Sequence, residues 1–407
     1  MDSLTDAVAE GSALPGDGQK FHTARVVTLA SGHFIHDTYI SFLSPLLPMF
    51  ITNLALSKTE AGILVIFTQW PSVLQPIMGN LADRVNLRAF VILAPAVTGV
   101  AMSLLGIAPT YGLLALLLVI AGLSSAAFHA VGPAHVGVLS GRNLGRGVGI
   151  WMVGGELGYT VGPILISTAV KFLTPKGTPW LMILGLLSSL FLYAKLRDVP
   201  GLQPRGTQSR PWRQALRKMK PALGPLIGIT LARSFMIAGL TTFLPVFMRE
   251  QGAELWLAGA SLSVLQVAAV GGSLVIGSLS DSLGRKVAIA LSLLLGSLST
   301  LLFIAVEGWL RFPVLLLVGF TGLCTPVVLL ALVQETFPEN RALAVGIFNA
   351  ITFVIYAATV AAMGALGDWV GLRTAFAVSA AVTLLALPIV PLLPGGRKRG
   401  AAKGIEG

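Results

Sequence analysis

The sequence predicts an all-α membrane protein with twelve transmembrane helices in two pseudo-symmetric six-helix bundles. Three observations carry this. The 407 residues are 55% hydrophobic and 11% charged, with a mean hydropathy of +0.83, whereas soluble domains carry roughly 25% charged residues. Twelve stretches are apolar over the ~20 residues needed to cross a bilayer. Short motifs also recur at a near-constant offset of 197 or 198 residues.

The elements follow in order. The tail 1–22 is acidic, contains Gly and Pro, and lacks the basic n-region of a cleavable signal peptide. Span 1, 23–51, is apolar except for SGHFIHDTYISF (31–42), which places His33, His36 and Asp37 in its middle. Span 2, 59–83, runs into the polar turn GNLADRVNLR (79–88). Span 3 is 89–108. Span 4, 111–139, carries His129 and His135, and span 5, 145–172, is glycine-rich and holds Glu156. Span 6, 179–195, completes the first bundle, 23–195. A polar, basic linker, 196–221, divides the chain six plus six. Span 7, 222–248, contains Arg233, and span 8, 257–281, ends in GSLSDSLGRK (277–286). Spans 9 to 12 (286–306, 313–334, 342–367, 372–393) complete the second bundle, 222–393, and a basic tail, 394–407, follows. The one cysteine, Cys324, excludes an internal disulfide and a Cys-cluster metal site.

The charges orient these spans. Of 28 Lys and Arg, 21 fall in or beside segments on the side of the termini, and six fall on the other: Lys58, Lys171, Lys176, Arg249, Arg311 and Arg373. Positive residues stay inside, so both termini are expected in the cytoplasm and the protein in the plasma or inner membrane. The net charge of +11 is therefore topogenic and lipid-facing, and implies no nucleic-acid partner. The stretch WRQALRKMK in the linker reads as a short amphipathic helix on the inner leaflet.

The two halves repeat. Shifted by 197, LLPMF (46–50) falls on FLPVF (243–247), Ala61-Gly62 on Ala258-Gly259, and GVGI (147–150) on AVGI (344–347). Shifted by 198, GNLADRVNLR falls on GSLSDSLGRK. Two homologous bundles imply a pseudo-two-fold axis along the membrane normal, with a site between them near mid-depth.

The first of these turns resembles the signature of the major facilitator superfamily, G-x-x-x-D-R/K-x-G-R-R/K, through Gly79, Asp83, Arg84 and Arg88, with Asn86 and Leu87 where Gly and a basic residue are usual. The second copy keeps Gly277, Asp281, Gly284, Arg285 and Lys286, with Ser282 at the first basic position. The resemblance implies the major facilitator fold and a gating role for these loops. In span 5, GIWMVGGELGYTVGP (149–163) fits G-x8-G-x3-G-P through Gly149, Gly158, Gly162 and Pro163, with Ile166 and Ser167 where two further glycines usually close the pattern. Members with it are mostly proton-coupled exporters, and the glycines let helices approach closely. GHFIHDTYISFLSPLLP in span 1 with AAFH in span 4 is similar to the fosmidomycin-resistance branch of the superfamily.

Few ionisable groups lie inside the spans, and a charge at a helix centre costs roughly 2.5–3.5 kcal/mol on insertion scales. At ~1.5 Å per residue, His33, Asp37, His129, Glu156 and Arg233 fall about 15–21 Å from the cytoplasmic ends of their spans, near the midplane. His33, His36 and Asp37 share one helix face, and His36 maps onto Arg233 under the 197 shift. A carboxyl shielded from water favours its neutral form, which suits Asp37 and Glu156 to proton carriage, and histidine titrates near neutrality already. Arginine keeps its proton and anchors anions. The expected division of labour gives Asp37, Glu156, His33 and His129 the coupling proton, and His36 with Arg233 an anionic moiety of the substrate. Tyr39, Gln69, Trp70, Tyr159, Gln266, Asn349 and Tyr356 are candidates for shaping the cavity.

These readings converge on a secondary transporter, a monomer whose partners are a small-molecule substrate, protons and the bilayer. Proton-driven export of small anionic or amphiphilic compounds, of the fosmidomycin type by resemblance, is the leading expectation. Symport of an organic anion uses the same residues. A transition-metal transporter would use His33, His36, Asp37 and His129 as ligands, with Arg233 a charge against it. No cofactor or resident metal is assigned. The sequence lacks a Gly-Lys-Ser/Thr phosphate loop, which argues against ATP drive and an enzyme.

Overall fold

In a computed structural model the described residues are 20–75, 77–78, 88–141, 143–197, 212–337 and 341–394, with backbone alone for 144, 145, 212–221 and 341–343. They are nearly all helical, joined by short turns. In chain order the helices are α1 (Thr23–Ile40), α2 (Leu43–Asn53), α3 (Lys58–Gln69), α4 (Arg88–Ser103), α5 (Tyr111–Ser140), α6 (Leu144–Leu173), α7 (Met182–Leu196), α8 (Trp212–Ala238), α9 (Leu244–Glu250), α10 (Leu255–Leu283), α11 (Arg285–Ala305), α12 (Arg311–Gly322), α13 (Thr325–Thr336), α14 (Arg341–Val370) and α15 (Leu372–Leu384). Ten stretches among them are long and apolar enough to cross a membrane. The other two expected spans, 2 and 5, are also helical: α3 with its 3-10 turn Trp70–Leu74, and α6.

Three spans differ from their sequence reading, each for a local reason. Span 1 is two helices, broken at Ser41 and Phe42 ahead of Pro45 and Pro48; proline removes a backbone donor and crowds the preceding turn. Span 7 breaks at the equivalent place, in a π-turn Gly239–Phe243 just before Leu244-Pro245, and Pro245 lies 197 residues after Pro48. Span 10 divides between Gly322 and Thr325-Pro326. The second half of the linker is helical but not a separate surface helix, because its backbone runs unbroken from Trp212 into span 7.

Packing ties the bundles together at one end. The largest apolar cluster joins both halves through Phe42, Leu46, Phe50 and Leu64 on one side and Phe243, Phe247, Leu262 and Phe376 on the other. It lies toward the face opposite the termini. Toward the termini's face each bundle has its own cluster: Val26, Leu29, Phe128 and Trp151 in the first, and Leu226, Ile229, Leu293 and Leu329 in the second.

Repeat-related glycines make the joints. A Cβ on Gly62 would lie 3.1 Å from the Val360 carbonyl oxygen, and one on Gly259 would lie 1.9 Å from Ser167 Oγ and 3.1 Å from Pro45 Cβ. So α3 crosses α14, and α6 crosses α10, at small-residue contacts. Polar links sit at the same end. The Asp368 carboxylate accepts from the Lys58 and Thr59 amides at 2.8 and 2.9 Å and from Thr59 Oγ1 at 2.6 Å. Lys58 pairs with Glu250 at 3.0 Å and Lys171 with Glu254 at 3.7 Å. Asp368 and Lys171 are themselves 197 residues apart. The molecule is thus closed on the face opposite the termini.

Candidate functional site

Span 5 lies against span 1 because its glycines have no side chain. A Cβ on Gly154 would be 2.4 Å from Ala30 O, one on Gly158 2.6 Å from Phe34 O, and one on Gly162 2.2 Å from Thr38 O. Gly149 has nothing within 4 Å, so it is not a packing glycine, contrary to expectation; the register of the contact starts at Gly154. At the centre of the seam a Cβ on Gly155 would meet His33 Cε1 at 2.6 Å and Asp37 Oδ2 at 2.8 Å. Beside that close approach, between α1, α5 and α6, lies a three-residue cluster in which His33 and Asp37 are buried and His129 is partly exposed.

In the cluster, His33 Nε2 is 3.0 Å from Asp37 Oδ2, and His129 Nε2 is 3.7 Å from Asp37 Oδ1 and 3.2 Å from His33 Nε2. His33 stacks on Trp151, with ring centroids 4.1 Å apart. His33 Nδ1 lies 2.8 Å from the Trp151 carbonyl and His129 Nδ1 lies 2.9 Å from the Ser125 carbonyl. A carbonyl only accepts, so both Nδ1 atoms carry their hydrogens. Both Nε2 atoms are then lone pairs in the neutral rings, facing each other and a carboxylate. Acceptors so close repel unless a cation sits among them, and a single shared proton on one Nε2 suffices. The same three groups, within 4.8 Å of one another, are also a possible metal-binding set.

Of the remaining expected carriers and ligands, His36 borders this cluster, with its Nε2 4.0 Å from Asp37 Oδ1, and the others lie outside it. Glu156 is exposed on α6, next to Gly155 but outside the hydrogen-bonded cluster. His36 points away from the bundle interface. It is fully buried, its Nδ1 is 3.1 Å from Thr98 Oγ1, and its ring stacks on Phe128. Arg233 is 4% exposed beside Cys324 of its own bundle, with Nε and Nη1 lacking a hydrogen-bond partner. His36 and Arg233, expected to hold an anionic moiety together, each have their described neighbours in their own bundle: Thr98 and Phe128 for His36 and Cys324 for Arg233. Tyr39 is also not a cavity residue. Its hydroxyl donates to the Leu181 carbonyl and accepts from the Gly185 amide at 2.9 Å, riveting span 1 to span 6. Asn349 is exposed and does not line the chamber described next.

That chamber, about 280 Å³, lies between the bundles. It brings together Gln69, Tyr159, Gln266 and Tyr356; Trp70, adjoining Gln69, is half-exposed in the 3-10 turn. The Tyr356 hydroxyl is 2.9 Å from Thr241 Oγ1 and 3.3 Å from Thr242 Oγ1. The lining is paired by the repeat. Gln69 and Gln266, Tyr159 and Tyr356, and Ser44 and Thr241 are each 197 residues apart, and all six face the chamber. Ser44 and Thr241 were not singled out from the sequence, although the same offset identifies them.

Of the residues expected to gate, Gly79, Asp83 and Arg84 lie outside the described residues, and Arg88 donates to the Leu196 carbonyl at 3.2 Å. The second copy is organised within its own bundle. Gly284 turns the chain at φ +90°, a conformation that favours glycine. Arg285 pairs with Asp281 at 2.5 Å and with Glu335, near the end of α13, at 2.7 Å. Lys286 donates to the Pro391 carbonyl at 2.8 Å, and a Cβ on Gly277 would lie 3.8 Å from Val327 Cγ1.

Two broken, repeat-related helices, a chamber between two bundles and glycine-mediated crossings describe a transporter architecture. The sequence matches the profile of the Major Facilitator Superfamily over residues 29–337 and again over 272–405. The chain belongs to this superfamily. Its relatives include the fosmidomycin resistance protein of Escherichia coli (strain K12), 21% identical over 91% of this chain and 93% of that one. Another is the uncharacterized MFS-type transporter YfnC of Bacillus subtilis (strain 168), 24% identical over 89% and 88%. The facilitator fold is shared with a bacterial homolog of the human lysosomal transporter Spinster, solved inward-facing and unoccupied (TM-score 0.74, 15% identity, covering 94% of this chain and 96% of that one). It is shared equally with the nucleoside transporter NupG (TM-score 0.74, 15% identity, covering 91% and 99%). Superfamily members are transporters rather than enzymes.

Proposed function

We propose that this facilitator is a proton-coupled antiporter that exports small amphiphilic compounds by alternating access. It would lie in the plasma or inner membrane, with both termini in the cytoplasm as the bias of 21 to 6 basic residues favours. The observation that carries the reading is the Asp37–His33–His129 cluster, two members buried and His129 partly exposed, in which two imidazole lone pairs and a carboxylate converge on a site that requires a cation. A site that must hold a proton in one state and can release it in another is what coupling needs. Glu156, exposed beside it, gives a route for the proton between the cluster and water.

The substrate sits in the chamber. Its lining offers amides, hydroxyls and the ring of Phe353, and none of the lining residues is charged. This favours a compound with hydrogen-bonding groups on an apolar body over a bare anion, and narrows the original expectation. The relative named for fosmidomycin resistance supports export of a drug-like compound. Symport of an organic anion draws less support now that Arg233 and His36 are turned from the chamber.

The test uses the protein in proteoliposomes with an imposed pH gradient. Proton movement out of step with substrate, abolished by Asp37→Asn while substrate counterflow without a gradient persists, is the expected result. Co-directional movement of proton and substrate would make it a symporter. A gradient-independent wild type, or a fully coupled Asp37→Asn, would remove the proton role. Cluster-dependent uptake of zinc in place of both would make it a metal carrier.

A further inference from the structure

A second site lies on the flank of the molecule, away from the chamber. Where α6 of the first bundle crosses α10 of the second, an apolar groove of about 590 Å³ runs down the seam. Val161 and Ile164 form one wall and Trp256, Ala260 and Val267 the other, with Phe312 alongside. From Trp256 to Val267 the groove descends roughly 16 Å along the helix axis. Val161, Ile164 and Val267 are exposed, so the groove faces outward, into hydrocarbon once the protein is in a membrane.

Its upper end adjoins a polar pocket of about 320 Å³, shared through Trp256. Two cations line that pocket, Lys171 and Arg249, with Ser167 and one carboxylate, Glu254. Lys171 is 3.7 Å from Glu254 and its ammonium lies 5.3 Å from the Trp256 ring centroid. The Arg249 guanidinium donates to the Ala253 carbonyl at 2.9 Å. One acid against two bases leaves the pocket a net positive charge. The same membrane level is marked by aromatic side chains: Trp180, Trp309 and Trp369, at the equivalent ends of other spans, are all strongly exposed, as in the aromatic belt at a headgroup boundary. A cationic pocket at headgroup level above an acyl-sized apolar groove matches one kind of molecule at both ends.

We propose that the α6–α10 seam is a binding site for an anionic phospholipid, with the phosphate on Lys171 and Arg249 and an acyl chain along Val161, Ile164, Ala260 and Val267. Each bundle supplies one wall, so the lipid touches both halves of the transporter at the closed face.

The test is native mass spectrometry and thermal melting of the purified full-length protein with phosphatidylglycerol, with phosphatidylcholine of the same chains, and with soluble glycerol phosphate. Phosphatidylglycerol is expected to be retained severalfold better than phosphatidylcholine and to raise the melting temperature, with no effect of glycerol phosphate. K171Q/R249Q should abolish the preference between headgroups, and Ala260→Phe, which fills the groove, should reduce retention of both lipids. Equal retention of the two lipids by the wild type overturns the proposal without recourse to any variant. A matching shift with glycerol phosphate alone would show a free-anion site. An unchanged preference in K171Q/R249Q would place the anionic lipid elsewhere.

Discussion

His33 and His129 present their Nε2 atoms to each other at 3.2 Å while the Nδ1 atom of each is held by a backbone carbonyl. The two carbonyls dictate the tautomers, and the tautomers dictate that the gap between the rings must hold a positive charge. Asp37, within 3.0 Å of one ring and 3.7 Å of the other, balances it. The arrangement turns three unremarkable titratable residues into one protonation unit.

Asp37→Asn is expected to keep the shape of the cluster and lose its counter-charge. Removing one member of a buried ion pair costs about 3–5 kcal/mol, so the variant should melt at lower temperature and fail to respond to a pH gradient. Thermal melting in detergent and gradient-driven flux in vesicles report the two effects separately. A stable variant with intact coupling would show that the charge resides elsewhere.

Gly155→Val and Gly149→Ala form a contrasting pair on one helix. A side chain at Gly155 enters the space of His33 and Asp37; such overpacking typically costs about 1–3 kcal/mol, and it should separate span 5 from span 1 and abolish coupling. Gly149 has open space around it, and its substitution should not destabilise, since alanine is favoured over glycine inside a helix by about 0.5–1 kcal/mol. Equal effects at both sites, measured by melting and flux, would refute the packing assignment.

Tyr39→Phe and Tyr356→Phe separate a structural tyrosine from a cavity one. Loss of the Tyr39 hydroxyl strands a buried carbonyl and a buried amide, at about 1–3 kcal/mol each at most; stability should fall while the KM for transport holds. Loss of the Tyr356 hydroxyl should raise KM and leave the melting temperature nearly unchanged. Reversal of the two patterns would place Tyr39 in the substrate path.

Asp368→Asn weakens the clasp that joins the start of α3 to the end of α14. The carboxylate accepts three hydrogen bonds there, and a helix-capping acid contributes about 0.5–2 kcal/mol. At 1.4 kcal/mol per tenfold change in an equilibrium, the closed face should open about two- to thirtyfold more often. The readout is the labelling rate of a cysteine placed at Gln69, in a Cys324→Ser background, by a membrane-impermeant reagent applied from that face. An unchanged rate would mean that the apolar cluster alone holds the face closed.

Much of the molecule was legible in the chain. Hydropathy located the spans because a helix in lipid must satisfy its own backbone. The 197-residue offset located the paired bundles, and in retrospect also the chamber, since Gln69 with Gln266 and Tyr159 with Tyr356 obey it. Depth along a helix was legible too, and it brought His33, Asp37 and His129 to one level. Direction around the helix was not: His36 and Arg233 occupy equivalent positions in the repeat, yet each points into its own bundle.

The sequence by itself determined the membrane class, the two homologous halves and the small set of titratable residues within the spans, because composition and periodicity are properties of the chain alone. Only the tertiary structure decided which of those residues meet. Gly155 permits span 5 to close on span 1, and the carbonyls of Trp151 and Ser125 choose the histidine tautomers. The Ser125 carbonyl is local to its helix, but the Gly155 and Trp151 contacts join segments about a hundred residues apart, where a rotation of one helix by a single residue, about 100°, exchanges a buried partner for lipid.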